Sequence, residues 1–243
     1  MNKFAAVITM DKSTNRFQAF ATNNKHLEYQ IFQGISGKHI SKEDRVAGGL
    51  VTAELAATNE DTDFRVGCAV SHWSLWQEAI RTHSGVLIME DDVMTHPQIW
   101  AQVEALADLD TTDIVLFSCN MNSPLSMYSP EGFRLASICD PRSPAPDWIA
   151  DTLARTRVED VRYWKLSRAF GTCCYFVTPT GAKKLSKMMF PLRTDGIYVP
   201  LLSDLLMGCT LDFRMNAIYD DLNAFISMPF LAYTPHHHEL APV

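Results

Sequence analysis

Residues 85–97 read GVLIMEDDVMTHP, and three carboxylates stand side by side within them, Glu90, Asp91 and Asp92. The apolar run Val86-Leu87-Ile88-Met89 leads into them and Val93 comes after. Adjacent carboxylates at the end of a buried segment repel one another and lose hydration, so something must compensate them. A hard divalent cation such as Mg²⁺ or Mn²⁺ does this, taking carboxylate oxygens and keeping room for water and phosphate oxygens. The first turn of a following helix also does it, because its unpaired N–H groups attract negative charge. Position alone leaves both open.

Two further stretches carry groups able to do chemistry. In VGCAVSHWSLWQEAI, Ser71 and His72 follow Gly67, and His72 lies at the edge of a tryptophan stripe. It either lines a pocket or is a packed structural histidine. YTPHHHEL, from Tyr233, holds His236, His237 and His238. Three consecutive side chains of an extended segment cannot all face one ion, but one neutral imidazole can complete a metal shell. The run is followed by Glu-Leu-Ala-Pro-Val and is read as native rather than as a purification tag. No P-loop, GxGxxG, HExxH or GxSxG motif is present.

The elements that must position these groups are legible in the hydrophobic pattern. Phe4 to Met10 reads as a buried strand stopped by Asp11-Lys12-Ser13, and Tyr29 to Ile35 as a second. Ala69, Trp73, Trp76 and Ile80 share one face of a helix over 67–82. Val86 to Met89, Asp113 to Ser118 and the CYFV stretch read as further strands. A helix follows CYFV, with Thr180 as its expected N-cap. Residues 119–165 are rich in proline and serine and read as a long excursion from the core, with one helix near 147–160. Alternating strands and helices predict an α/β fold with a mostly parallel central sheet, whose ligands bind beyond the carboxyl ends of the strands. Glu90, Asp91 and Asp92 sit at such an end.

Composition bounds the function. The chain has 243 residues, 47% hydrophobic, enough for one globular domain with a sizeable core. A net charge of -7 and a pI of about 5.6 exclude a broadly basic nucleic-acid surface. Six cysteines form no CxxC pair, the N-terminal apolar run is short for a signal peptide, and no stretch reaches bilayer length. The expectation is a cytoplasmic protein with reduced thiols.

Seven blocks succeed one another along the chain: VITMDKSTNR, IFQGISGKHI, GCAVSHWSLW, VLIMEDDV, CYFVTPTGAKKL, PLRTDGIYVP and LNAFISMPFLAYTPH. In this order they resemble the motifs of glycosyltransferase family 25, which includes bacterial lipooligosaccharide galactosyltransferases and collagen galactosyltransferases. Residues 119–165 fall outside the resemblance. The chain departs from the family pattern at Met10-Asp11, Ser36 and Arg65, all at the presumed nucleotide end.

The resemblance implies one GT-A-type α/β sandwich over 1–243, with 119–165 as an inserted acceptor-side segment. It implies metal-dependent, inverting transfer of a hexose, galactose or glucose, from a UDP-sugar to a hydroxyl acceptor. A bacterial surface oligosaccharide is the expected acceptor, with peripheral association at the inner membrane face. Asp92 is then the direct Mn²⁺ (or Mg²⁺) ligand, and Asp91 or Glu90 contacts the ribose or a metal-bound water. His236 matches the family's closing histidine and is the expected ligand from the C-terminal side. Arg16, Ser71 and His72 fall in blocks expected near the donor. Asp195 matches the family's acid in its PVDxxxP block and is the expected catalytic base, with Asp204, Asp220 and Asp221 as competitors. Two other classes stay open: a metal-dependent hydrolase using the same acids, and an inactive nucleotide- or metal-binding module.

Overall fold

The computed structural model describes residues 1–58, 62–106, 111–139 and 144–235. The chain begins with β1 (Asn2–Thr9), α1 (Asn15–Asn23) and β2 (Gln30–Gln33). Two short helices, α2 (Lys42–Ala47) and α3 (Ala53–Ala56), lead to the long α4 (Asp63–Thr82). Thr62 starts α4 one turn earlier than the pattern predicts, its hydroxyl accepting from Arg65 N. His83 ends it in the left-handed conformation. Then come β3 (Ser84–Glu90), the short β4 (Met94–Thr95), α5 (Ile99–Ala105) and β5 (Ile114–Leu116).

Residues 119–165 are not an excursion. They form β6 (Pro124–Tyr128), β7 (Arg134–Ile138) and α6 (Pro146–Arg155), and enter β8 (Arg162–Arg168). The expected helix is present and shorter, while the hairpin and β8 lengthen the central sheet. The turn signals here are hairpin turns, and the strands are too short and polar for a period to show. β9 (Cys174–Val177) and α7 (Pro179–Met189) come next. Thr178, not Thr180, caps α7, because Pro179 at the first helical position places the cap before it. The hairpin β10 (Asp195–Val199) and β11 (Asp204–Gly208), α8 (Leu211–Ile218), β12 (Ala224–Met228) and β13 (Ala232–Tyr233) complete the chain.

The nine-stranded sheet runs β2-β1-β3-β9-β5-β12-β8-β6-β7. The expectation of a mostly parallel sheet is corrected to a mixed one. Six of the nine strands point one way, but β9 lies antiparallel between β3 and β5, and β8 and β7 are also reversed. Alternate residues of the central strands enter two cores. Ala6, Ile88, Leu116 and Tyr175 pack under α4, α7 and α8, while Val7, Met89, Phe117 and Phe176 pack under α1 and α5. With helices on both faces, β3 is apolar without alternation. Among the described residues no helix is long and apolar enough to cross a membrane.

One contact seats α4 beside the strand ends. A Cβ at Gly67 would lie 2.4 Å from the Ile35 carbonyl oxygen and 2.9 Å from Gly37 N, so backbone meets backbone with no side chain between. Gly67→Ala should therefore destabilise the fold by about 1–3 kcal/mol, because neither neighbour can rotate away. Urea or thermal melts against wild type measure this.

Candidate active site

β1 and β3 run parallel with Ile8 opposite Glu90, so both end at one edge of the sheet. Beyond Glu90 the chain turns tightly, Val93 N donating to the Glu90 carbonyl at 3.2 Å while the Val93 side chain is fully buried. The turn leads into β4, and α5 begins only at Ile99. Helix capping is therefore not what compensates the three acids.

Their first partner is Arg16 of α1. Its Nε stands 2.5 Å from Asp91 Oδ1 and its Nη2 3.1 Å from Asp92 Oδ2. Burial works against the Arg16 charge, but Asp92, Asp91 and Glu90 outweigh it and raise the guanidinium further. One cation does not neutralise three anions. Burial, with Glu90 next in effect, pushes Asp92 up to about 7 despite the pull of Arg16. Asp92 Oδ1 is buried and has no hydrogen-bond partner among the described residues. A lone pair left free on a hard anionic oxygen fits a divalent cation. No three His, Cys, Asp or Glu side chains among the described residues form a ready cage. Mg²⁺ commonly binds through one or two carboxylates plus water and phosphate, and Asp92 fits that pattern.

Glu90 is held differently. Thr172 Oγ1 donates to its Oε1 at 2.7 Å, and His72 Nε2 stands 3.7 Å from the same oxygen. Burial would raise Glu90, but His72, Thr172 and Arg16 together hold it below the usual carboxylate range. His72 is buried, and its Nδ1 lies 2.8 Å from the Tyr175 hydroxyl. That hydroxyl accepts from Trp76 Nε1 at 2.9 Å. An indole N–H can only donate, so the hydroxyl accepts from Trp76, and His72 turns its other ring nitrogen, Nε2, toward Glu90. Ser71 donates to Gly67 O at 2.7 Å and accepts from Ile35 N at 2.8 Å, pinning α4 to the loop after β2.

A cavity of about 650 Å³ opens over these groups. Its walls are the end of β1, residues 35–38, the first turns of α4, Gly171–Cys173 before β9, and the start of α8. Arg16, Ser71, His72, Glu90, Asp91 and Asp92 all line it. So do Met10, Ser36 and Arg65, where the chain departs from the family pattern. Phe64, 82% exposed, stands among the lining residues.

Asp195 is not brought to this cavity. Its carboxylate is bound by Arg193 at 3.0 Å and by buried Arg214, at the foot of the β10–β11 hairpin. Its competitors are elsewhere too. Asp204 opens β11, and Asp220 pairs with Arg168 at 2.9 Å. Neither they nor Asp221 line the cavity. His236 lies outside the described residues. The structure adds Thr172, Tyr175 and Asp212, which the sequence reading missed. Thr210-Leu211-Asp212 is a helix-start signal, and it opens α8 at the cavity wall.

The family model for glycosyltransferase family 25 (LPS biosynthesis protein) matches residues 2–207. The chain belongs to that family. It is a glycosyltransferase, and it acts on a sugar donor and an acceptor. The match runs through residues 119–165 and stops before Asp212 and His236. No curated protein matches the chain. The crystal structure of A197 from STIV aligns over 93% of this chain and 81% of that one, at 12% identity and a TM-score of 0.39, too distant to bear on the fold.

The raised Asp92 has a consequence for stability. The folded chain holds a proton on Asp92 that the unfolded chain releases near pH 4, so rising pH costs stability between about 4 and 7. Asp92→Asn removes that cost. In metal-free buffer the variant should exceed wild type by roughly 2–4 kcal/mol at about pH 8, with the gap closing at about pH 4. Parallel denaturation curves at the two pH values read it directly.

Proposed function

We propose that this glycosyltransferase moves a hexose, galactose or glucose, from a UDP-sugar to a hydroxyl acceptor, with inversion at the anomeric carbon and with Mn²⁺ or Mg²⁺ as cofactor. The observation that carries the reading is the buried, unpartnered Oδ1 of Asp92, a residue that lines a cavity large enough for a nucleotide sugar. The sandwich is read as GT-A type, with the donor across the ends of β1 and β3. The acceptor is read as a bacterial surface oligosaccharide, from the family's description. All six cysteines are free thiols, which suits a reducing compartment, and the acceptor would be met at the inner face of a membrane.

Transfer expels a diphosphate whose negative charge grows as the bond to the sugar breaks. A cation held by Asp92 would supply electrostatic stabilisation of that charge. The chain's own groups do the rest. Arg16 restrains Asp91 and Asp92 and adds positive charge at the same end. His72 and Thr172 fix Glu90, which is left to accept a ribose hydroxyl or a bound water. His236, which lies beyond the described residues, is proposed as a further ligand on the family resemblance alone.

The test is a screen of nucleotide sugars with Mn²⁺, reading released nucleoside diphosphate. UDP-galactose or UDP-glucose should be turned over, and EDTA should stop the reaction. Asp92→Ala should lower the rate by roughly 10²–10³-fold while the fold survives. Full activity in EDTA removes the cation from the reading. Cleavage of phosphate or glycosidic bonds without any nucleotide sugar makes the protein a hydrolase instead.

A further inference from the structure

A hydroxyl that attacks an anomeric carbon must lose its proton, and the acceptor must be separate from the groups that meet the diphosphate. Among the described residues five carboxylates line the cavity: Glu90, Asp91, Asp92, Asp63 and Asp212. The first three lie together at the end of β3 and are engaged by Arg16, Thr172 and His72. Asp63 is tied to Arg45, Oδ1 to Nη2 at 2.5 Å. His72 has one ring nitrogen on Tyr175 and the other toward Glu90. The Cys68 thiol is pushed far up by burial, with Glu90 and Asp212 adding to the effect, so both carboxylates lie near it. Asp212 remains.

We propose that Asp212 is the catalytic base, taking the proton from the acceptor hydroxyl. This rests on the transferase reading. Asp212 is in the first turn of α8, where an acid is common for the helix's sake alone. Its surroundings do more than that. Thr210 occupies the N-cap position but its hydroxyl caps no helix amide. It donates instead to Asp212 Oδ1 at 2.6 Å. The Phe213 amide donates to the same oxygen at 2.9 Å, and the Gly171 amide to Oδ2 at 3.1 Å. Gly171 has φ +94, and a Cβ there would fall 2.4 Å from Asn120 Oδ1, so this amide is presented by a residue that must be glycine. The three donors orient the carboxylate and leave Oδ2 capacity to accept another hydrogen.

The step balances. A lone pair of the acceptor oxygen forms the new bond to the anomeric carbon. The bond from that carbon to the diphosphate oxygen breaks, and its electron pair leaves with the nucleotide. The hydroxyl proton moves to Asp212 Oδ2, and from there to water.

The test compares full-length wild type, Asp212→Asn and Asp195→Asn. UDP release is read from UDP-galactose and UDP-glucose with truncated lipooligosaccharide as acceptor, and UDP binding with Mn²⁺ is read by calorimetry. Asp212→Asn should lose roughly 10²–10⁴-fold in transfer and keep UDP affinity nearly unchanged. Asp195→Asn should keep transfer and lose thermal stability, because it strands buried Arg214. Asp212→Ala with added sodium formate gives an independent reading. A supplied carboxylate restores transfer if the missing group is a base, and not if Asp212 only holds Gly171 in place. Transfer retained by Asp212→Asn, UDP affinity lost with it, or no rescue by formate each overturns the proposal. Failure of the transferase reading shows in wild type itself, which would then neither bind UDP with Mn²⁺ nor release it from any nucleotide sugar.

Discussion

Three negative charges at the end of a fully buried strand set the terms for everything around them. β3 is apolar from Val86 to Met89 because it is covered on both faces, and it delivers Glu90, Asp91 and Asp92 to a place where water is scarce. The chain answers the three charges in three ways. Glu90 accepts from the Thr172 hydroxyl, faces His72 and is held below the usual carboxylate range. Asp91 receives the Arg16 guanidinium. Asp92 is left short of partners, with a raised proton affinity and a bare oxygen. An unevenly compensated cluster binds a cation more readily than a fully satisfied one, because its cost is already present in the fold.

The surrounding architecture keeps that cluster beside a cavity. α4 approaches the loop after β2 so closely that Gly67 and Ile35 touch through backbone, and Ser71 bonds both partners. The same helix carries His72 and Trp76, whose polar atoms meet on the Tyr175 hydroxyl. Tyr175 belongs to β9, the antiparallel strand inserted between β3 and β5. The reversed strand therefore brings Gly171–Cys173 to the edge where β1 and β3 finish, and one wall of the cavity with them. A uniformly parallel sheet would have placed the end of a strand there instead of its approach.

Membership of glycosyltransferase family 25 and the local geometry bear on different halves of the site. The matched stretch contains the acids, Arg16 and the His72 helix turn. Of the departures from the family pattern, Met10, Ser36 and Arg65 line the cavity and Asp11 does not. The start of α8 lies beyond the matched residues.

The strands, the long helix and the acidic turn were legible in the chain because each rests on contiguous residues. A buried strand shows as an apolar run, α4 as a stripe at helical spacing, and a charge cluster as adjacent letters. The reading faltered where partners are distant. The β6–β7 hairpin looked like an insertion because β7, at the sheet edge, needs no apolar run, and only the pairing of β6 with β8 makes the hairpin part of the sheet. Asp195 sat in a recognisable block, yet Arg214, from α8, claims its carboxylate. Asp212 sat in no recognisable block, yet Thr210, Gly171 and the cavity wall converge on it. Sequence by itself determined which residue types were available and in which elements they lie. Tertiary structure decided which carboxylates are spent on arginines and which remain open to a ligand, because ion pairs and hydrogen bonds depend on distance in space, and distance is set by how the elements pack.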